Sequence, residues 1–212
     1  RCFFVDEQAR FIPGDFVTAL LAGETLDRTG GGAVVYDLRA SRCVPDTVRA
    51  HGGKPVVCRV GHSFIKAKMR QERSVFGGEV TGHYYYPFAG GFLDNGWIPA
   101  LQMLVLRSKR GGTFSGLFAD LAARYHISGE LNFTAADPMA VLRQLEQRYR
   151  AAAKRIGHLD GLTVEAGDFW FNVRPSNTAP LLRLNVEAVS PARLADVRRE
   201  LAEQISAGGA TA

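Results

Sequence analysis

The sequence has little of what marks several large classes of protein. Its three cysteines, Cys2, Cys43 and Cys58, are an odd number without metal-type spacing, which favours reduced thiols in a cytoplasmic protein over a disulfide framework. No apolar run is long enough to span a bilayer, and no signal peptide is recognisable. Lys/Arg-rich runs with interleaved aromatic residues are missing, so nucleic-acid binding has little support. His62 and His83 are not spaced like zinc ligands on a helix, and no acidic calcium-binding loop occurs.

What is present is an ordinary globular composition. The chain has 212 residues, of which 46% are hydrophobic and 22% charged, enough for one large domain or two small ones. The net charge of +5 is spread over dispersed Lys and Arg residues, which suits an anionic small substrate but specifies no partner. The first residue is Arg1 rather than Met, which is compatible with a fragment of a longer protein.

Alternating strands and helices predict an α/β architecture for the first part of the chain. Short apolar runs bounded by turn residues indicate buried strands at residues 33–36 and 55–60, with a further extended segment at 75–79. Helices are predicted at residues 16–22, with Asp15 as the N-cap, and at 45–51, 63–72, 94–106 and 114–124. We therefore expect a mixed sheet flanked by helices.

The second part of the chain has a different pattern, which predicts a smaller α+β domain. A strand-like segment at residues 130–133 precedes a helix that Asp137 and Pro138 open and that extends to about residue 154. Two or three strands follow within residues 162–186, and Ser190 with Pro191 opens a last helix ending near residue 206. We expect an antiparallel sheet with helices on one face, a mobile small-residue tail, and a linker within residues 108–125.

The segment Arg-Pro-Ser-Asn-Thr-Ala-Pro at residues 174–180 has the parts needed to hold a phosphate. Arg174 offers two parallel charge-assisted hydrogen bonds to phosphate oxygens, and Ser176 and Thr178 offer hydroxyls. The proline fixes φ and Asn177 tolerates unusual dihedrals, so successive backbone N–H groups could form an anion-binding nest. Turn chemistry alone favours a plainer interpretation, in which the segment only joins two strands.

A second candidate site is Gly-Glu-Val-Thr-Gly-His at residues 78–83, where glycines flank polar side chains. If the segment is extended, Glu79 and Thr81 face the same side and can hydrogen-bond vicinal sugar hydroxyls. The alternative is a glycine-rich hairpin with exposed polar tips, which the spacing alone slightly favours. The aromatic run that follows at residues 84–88 could stack on a sugar ring, although such runs more often pack in the core.

Two further candidates follow predicted buried strands, where ligands of open α/β sheets usually bind. His62 lies between a strand and a helix, and a neutral histidine there can move protons near pH 7. Alternatively, His62 caps the helix or packs beneath it. Ser63 is not predicted to be a nucleophile, because no glycine pair frames it. Arg39 is placed to reach the same edge of the sheet, and could equally be a solvated surface charge.

Taken together, four motifs resemble the C-terminal half of an α-D-phosphohexomutase of the bacterial phosphomannomutase/phosphoglucomutase type. They are Arg-Cys-Phe-Phe at residues 1–4, Val-Gly-His-Ser-Phe-Ile-Lys at 60–66, Gly-Glu-Val-Thr-Gly-His at 78–83 and Arg-Pro-Ser-Asn-Thr at 174–178. Their order and spacing fit over residues 1 to about 205, and four motifs in register are far more specific than any one of them. The resemblance therefore outweighs the plain-turn interpretation of residues 174–180.

The resemblance implies interconversion of hexose 1-phosphate and 6-phosphate, of mannose or glucose, through a phosphoserine and a bisphosphorylated sugar. The catalytic positions it implies are His62, which takes part in proton transfer, Arg39, where the family commonly has a lysine, and Arg1, which closes a magnesium loop. The sugar-binding positions it implies are Glu79, Thr81 and His83. The implied phosphate-binding positions are Arg174, Ser176, Asn177 and Thr178.

The resemblance also implies an organisation into domains, cofactors and partners. Residues 1–10 would be the tail of a preceding domain, 11–124 an α/β sugar-recognition domain and 125–212 an α+β phosphate-binding domain. Mg²⁺ and a hexose 1,6-bisphosphate activator are implied for the full-length enzyme, with the metal ligands and the phosphoserine in sequence before Arg1. The expected partners are a phosphohexose and the N-terminal domains, with no nucleic acid and no membrane, and the chain alone is expected to be inactive. The alternative is a stand-alone, non-catalytic phosphosugar-binding or regulatory module.

Overall fold

The computed structural model describes residues 1–176 and 179–211. It divides into two compact units, Arg1–Ala123 and Arg124–Ala212. The first unit contains a two-stranded sheet, Phe4–Val5 with Phe11–Ile12, and a five-stranded sheet, and the second unit contains a six-stranded sheet. Within the described residues, no helix is long and apolar enough to cross a membrane.

The first unit is built on a mixed five-stranded sheet with helices. Its elements are β1 (Phe4–Val5), β2 (Phe11–Ile12), α1 (Gly14–Thr29), β3 (Ala33–Asp37), α2 (Cys43–Ala50), β4 (Lys54–Cys58), α3 (His62–Glu72), β5 (Phe76–Gly78), β6 (Tyr84–Phe88), β7 (Gly91–Asp94), α4 (Trp97–Arg110), a short 3-10 helix (Ser115–Phe118) and α5 (Ala119–Arg124) at the boundary. The strand order is β4-β3-β5-β6-β7, with β3 parallel to β4 and β5, and with antiparallel pairing from β5 onwards. The predicted α/β domain with a mixed sheet is therefore confirmed.

Helices cover this sheet on both faces, and two glycines of β5 allow their close approach. A Cβ atom on Gly77 would lie 2.7 Å from the Met69 sulfur of α3, and one on Gly78 would lie 2.5 Å from Thr18 of α1. Because successive residues of a strand face opposite sides, the two helices pack on opposite faces of β5. On the α3 side, Ile65 and Met69 pack against strand residues, Val35 among them, in one buried cluster.

The second unit is an antiparallel six-stranded sheet with two helices. Its elements are β8 (His126–Ala135), α6 (Pro138–Tyr149), β9 (Arg155–Gly157), β10 (Leu162–Glu165), β11 (Phe169–Pro175), β12 (Leu181–Ala188), α7 (Pro191–Ala207) and β13 (Ala210–Thr211), with strand order β13-β8-β12-β11-β10-β9. Along β11, Phe169, Phe171 and Val173 join the core that α6 and α7 complete. The alternate residues of β11, including Asn172 and Arg174, therefore face the other side of the sheet. The predicted α+β domain is confirmed.

The predicted starts of the last two long helices are confirmed. Ser190 is the N-cap of α7 and its hydroxyl accepts a hydrogen bond from the backbone N–H of Arg193 at 3.2 Å. Asp137 caps α6 in the same way, accepting from the N–H of Ala140 at 2.9 Å. Each helix has a proline in its first turn, where no hydrogen bond is lost.

Five predictions about elements are wrong. Helix α6 ends at Tyr149 rather than near residue 154. Asp15 is not an N-cap, because it lies inside α1 and its carboxylate instead accepts the backbone N–H of Ser41 at 2.7 Å. Helix α1 continues through Gly23 and ends at Thr29 rather than at residue 22. The segment from Asp94 begins with the end of β7, and α4 starts only at Trp97. The expected mobile tail contains β13, which pairs with β8.

Candidate functional site

At the end of β3, Asp37 joins the strand to the glycine-rich turn that follows β5. The side chain is fully buried and its oxygens accept the backbone N–H groups of Arg39 at 2.9 Å and Val80 at 3.0 Å. The guanidinium of Arg39 also faces Asp37, with Nε at 3.0 Å from Oδ1 and Nη2 at 2.9 Å from Oδ2. One carboxylate therefore fixes both the chain after β3 and the turn after β5.

Glu79 is the second carboxylate of this buried network. Its exposed fraction is 4%, the Tyr85 hydroxyl donates to Oε1, and Nη2 of Arg39 lies 3.8 Å from Oε2. Burial raises the pKa of Glu79 above its ordinary value, while the Tyr85 hydrogen bond and the Arg39 charge oppose the rise. Burial and the neighbouring Glu79 also raise the pKa of Tyr85. Two carboxylates thus share one guanidinium, which makes Arg39 the charge on which the network depends.

Residues 79–83 form the hairpin turn between β5 and β6. The N–H of Glu79 donates to the His83 carbonyl at 2.9 Å, and the N–H of Gly82 donates to the Glu79 carbonyl at 3.1 Å. The segment is therefore not extended, so the condition that placed Glu79 and Thr81 on one side is not met. The hairpin alternative is correct, although Glu79 is buried rather than an exposed tip, and Thr81 is partly exposed. The three tyrosines of the aromatic run are buried in the core, as the plainer interpretation held, whereas Phe88 is 68% exposed.

His83 links the start of the chain to the end of β7. Nε of Arg1 donates to Nε2 of His83 at 3.0 Å, and Nδ1 of His83 lies 2.7 Å from Oδ2 of Asp94. The backbone beside this contact is fixed by the N–H of Cys2, which donates to the Gly82 carbonyl at 2.9 Å. The side chains of His83 and Asp94 are 23% and 24% exposed, so the pair is accessible from outside.

The remaining candidates of the first unit are His62, Ser63 and Arg39. His62 is the first residue of α3 and is exposed, while Gly61 is the N-cap. The alternative that His62 caps the helix or packs beneath it is therefore wrong. Ser63 is also exposed. The Arg39 side chain is 2% exposed, so the alternative of a solvated surface charge is wrong as well.

In the second unit, Arg174 lies beside a second arginine on the neighbouring strand. It pairs in register with Arg183 of β12, and both side chains contact Glu130 of β8. Nη2 of Arg174 lies 3.4 Å from Oε2 of Glu130, and Nη1 of Arg183 lies 3.1 Å from Oε1. Within this trio two guanidinium groups face one carboxylate at the base of the β11–β12 hairpin.

The loop after Arg174 is described only in part. The N–H of Ser176 donates to the Leu181 carbonyl at 2.7 Å and closes the hairpin, so this N–H does not belong to an anion nest. Asn177 and Thr178 lie outside the described residues.

Five residues of these arrangements were missed as site residues by sequence reasoning: Asp37, Tyr85, Asp94, Glu130 and Arg183. Asp37 had a signal, since it is the polar residue that directly follows a predicted buried strand. The other four become neighbours only through strand register, which no local pattern specifies.

The residues that the structure describes do not fit a magnesium site. Among the described residues, no group of three or more His, Cys, Asp or Glu side chains could hold a metal ion. The two buried carboxylates of the first unit, Asp37 and Glu79, are bound by Arg39 and Tyr85.

Comparison with known proteins gives concordant matches along the chain. Residues 13–125 match the family model described as phosphoglucomutase/phosphomannomutase, alpha/beta/alpha domain III, and residues 130–204 match that of the C-terminal domain. The chain is 39% identical over 201 residues to a protein named phosphohexose mutases from Xanthomonas campestris pv. campestris, covering 94% of this chain and 44% of that protein. It is 37% identical over 199 residues to a phosphomannomutase of Escherichia coli K12, covering 93% and 43%.

A solved structure of a phosphoglucomutase/phosphomannomutase family protein from Burkholderia thailandensis also matches this chain. The TM-score is 0.80 at 29% identity, covering 98% of this chain and 44% of that one. The chain therefore spans less than half the length of the relatives it matches.

Proposed function

The chain belongs to the phosphoglucomutase/phosphomannomutase family, and on that premise we propose that it is the substrate-binding half of a phosphohexomutase. The whole enzyme would interconvert hexose 1-phosphate and hexose 6-phosphate, of mannose or glucose, through a phosphoserine and a bisphosphorylated intermediate. Positioning and electrostatic stabilisation carry most of the catalysis in phosphoryl transfer. Residues that hold the substrate therefore contribute directly to the rate.

The observation that carries the proposal is the pair of arginines around Glu130. Arg174 and Arg183 lie opposite each other on paired strands and share one carboxylate. Two neighbouring guanidinium groups suit a dianionic phosphate, because a guanidinium fork matches phosphate oxygens in pairs. We propose that Arg174, with Ser176, Asn177 and Thr178, holds the phosphate that does not react.

The proposed sugar-binding residues are Glu79, Thr81 and His83. Thr81 and His83 are partly exposed at the turn, which supports direct contact with sugar hydroxyls. Glu79 is held by Tyr85 and Arg39, so in this structure it fixes the turn that carries the other two.

For the reacting end we propose His62, Arg39 and Arg1. His62 is exposed at the strand-to-helix junction, where it can exchange a proton with a bound group. Arg39 contributes through Asp37 and Glu79, both of which it binds. The phosphoserine, the magnesium ligands and the bisphosphate activator belong, in this proposal, to the full-length enzyme, and residues 1–10 to the tail of its preceding domain.

Titration calorimetry with mannose 1-phosphate tests the phosphate assignment. We expect Arg174→Ala to bind at least tenfold more weakly than the unaltered chain, since a charged hydrogen bond contributes about 1.5–3 kcal/mol. Arg174→Lys should recover only part of the affinity, because an ammonium cannot offer two parallel hydrogen bonds. Arg199→Ala is the matched control, since Arg199 is 70% exposed on α7 of the same unit.

Equal binding of mannose 1-phosphate by the unaltered chain and by Arg174→Ala would show that the phosphate assignment is wrong. Far-UV circular dichroism of each variant separates loss of binding from loss of folding. We also expect the purified chain to show no mutase turnover with a hexose 1,6-bisphosphate primer. Measurable turnover would contradict the assignment of the phosphoserine to the remainder of the enzyme.

A further inference from the structure

We propose that Asp94 is a positioning residue that holds His83 as its neutral Nδ1–H tautomer and so presents Nε2 as a hydrogen-bond acceptor. The tautomer follows from the geometry of this chain alone. That Nε2 then accepts from a hydroxyl of a bound sugar phosphate rests on the proposed function.

The partner on the other side of the ring shows which tautomer is present. Nε of Arg1 points at Nε2 of His83 at 3.0 Å, and a guanidinium can only donate hydrogen bonds. Nε2 must therefore carry a lone pair rather than a proton. The single proton of the neutral ring then lies on Nδ1, which faces Oδ2 of Asp94 at 2.7 Å. This distance is typical of a charge-assisted hydrogen bond to a carboxylate.

Backbone hydrogen bonds of the sheet hold Asp94 and His83 in this alignment. Asp94 is the last residue of β7 and pairs in register with Tyr85 of β6. The neighbouring N–H of Asn95 donates to the Tyr84 carbonyl at 3.0 Å, and the carbonyl of His83 accepts from Glu79. Both members of the pair therefore start from backbone positions fixed by strand pairing.

The Tyr85 ring limits rotation of the imidazole. The two rings stack with centroids 6.4 Å apart and an interplanar angle of 21°. Tyr85 is itself fully buried and bonded to Glu79. The ring of His83 thus has a carboxylate on one edge, a guanidinium on the other and a fixed aromatic face beside it.

Fixing the tautomer has a chemical consequence for the proposed sugar contact. A hydroxyl that takes the place of Arg1 at Nε2 meets an acceptor already aimed outward, with no proton to move first. An imidazole without Asp94 would have to change tautomer before accepting from that hydroxyl. Second partners of this kind commonly set the orientation and tautomer of functional histidines.

Long-range ¹H–¹⁵N correlation spectra of the histidine rings test the proposal directly. We expect His83, assigned from the signals lost in His83→Gln, to show a protonated Nδ1 and an unprotonated Nε2. In an Arg1→Ala background, where no guanidinium donates to Nε2, Asp94→Ala should shift the ring to the Nε2–H tautomer that free imidazole side chains prefer. Asp94→Asn in the same background should keep the Nδ1–H form, because the amide oxygen can still accept, and a purely structural role would not produce this rescue.

Asp27→Ala is the matched control. His51 has a similar contact, with Nδ1 at 2.6 Å from Oδ1 of Asp27, so this variant should change the signals of His51 and leave those of His83 unchanged. An Nε2–H tautomer in the unaltered chain, or the same tautomer in Arg1→Ala with and without Asp94→Ala, would overturn the proposal.

Titration with mannose 1-phosphate separates this proposal from the proposed function. If both hold, Asp94→Ala should bind about fivefold to tenfold more weakly, and Asp94→Asn close to normally. If the unaltered chain shows the expected tautomer but binds no mannose 1-phosphate, the proposed function fails and the tautomer assignment stands. If binding is normal and the tautomer is wrong, the positioning role fails and the proposed function stands.

Discussion

Replacing Arg39 by Met should destabilise the first unit more than the loss of any exposed arginine in it. The side chains of Arg39, Asp37 and Glu79 are 2%, 0% and 4% exposed, so water cannot solvate the two carboxylates once the guanidinium is removed. Met fills a similar length of apolar volume but leaves two carboxylates facing each other without a cation. Removing one partner of a buried ion pair costs about 3–5 kcal/mol, and we expect a loss in that range.

A matched control sets the scale for this prediction. Arg49→Met removes a cation from an ion pair on α2 whose side chains are 62% and 46% exposed. Exposed pairs of this kind contribute about 0.2–1 kcal/mol. The triple variant Arg39→Met, Asp37→Asn, Glu79→Gln should recover part of the stability, because no buried charge is then left unpaired.

Urea unfolding with two probes measures the effect on each unit. Trp170 is buried in the second unit and Trp97 is 79% exposed in the first, so tryptophan fluorescence follows mainly the second unit. Far-UV circular dichroism follows both units. The Arg39→Met variant should lower the transition seen only by circular dichroism and leave the fluorescence transition in place. A destabilisation of 1 kcal/mol or less, as in Arg49→Met, would refute the reasoning.

Two further predictions use the same measurements. Burial raises the pKa of Glu79 above 4.5, so the folded state binds this proton more tightly than the unfolded state does. The free energy of unfolding should therefore fall as the pH rises from about 4.5 through the raised pKa. Glu79→Gln should flatten that slope, because the amide does not titrate. Equal slopes for both proteins would contradict this. Ser190→Ala removes the N-cap hydrogen bond of α7 and should lower the stability of the second unit by about 1 kcal/mol, whereas Ser206→Ala, exposed near the end of the same helix, should not. No shift of the fluorescence transition in Ser190→Ala would count against it.

Local patterns predict the elements of this protein well where caps and periodicity agree. Helix α7 begins at the predicted Ser-Pro pair, and β3 lies within one residue of its predicted range. Helix α1 continues beyond the predicted end because Gly23 serves packing rather than a stop. A Cβ atom there would lie 2.9 Å from the His51 ring, so this glycine lets α1 approach the end of α2. Propensity alone cannot distinguish such a glycine from a helix terminator.

The sequence likewise identifies only some residues of the candidate site. The sequence indicates Arg39, Glu79 and Arg174 as candidate site residues because each follows a strand or lies in a motif. It does not indicate Asp94, because β7 is four residues long and its last residue also fits the start of a helix. Nor does it indicate that Arg183 faces Arg174, since that pairing depends on the register of two strands.

The seating of the first two residues has a practical consequence for protein production. A Cβ atom on Gly82 would lie 2.8 Å from the Cys2 carbonyl oxygen, and one on Gly96 would lie 2.8 Å from that of Arg1. The backbone of the first two residues therefore packs directly against Gly82 and Gly96, next to His83, and leaves no room for a side chain at either glycine. An affinity tag fused ahead of Arg1 would enter the neighbourhood of this histidine, so titrations and NMR spectra should use protein from which such a tag has been cleaved.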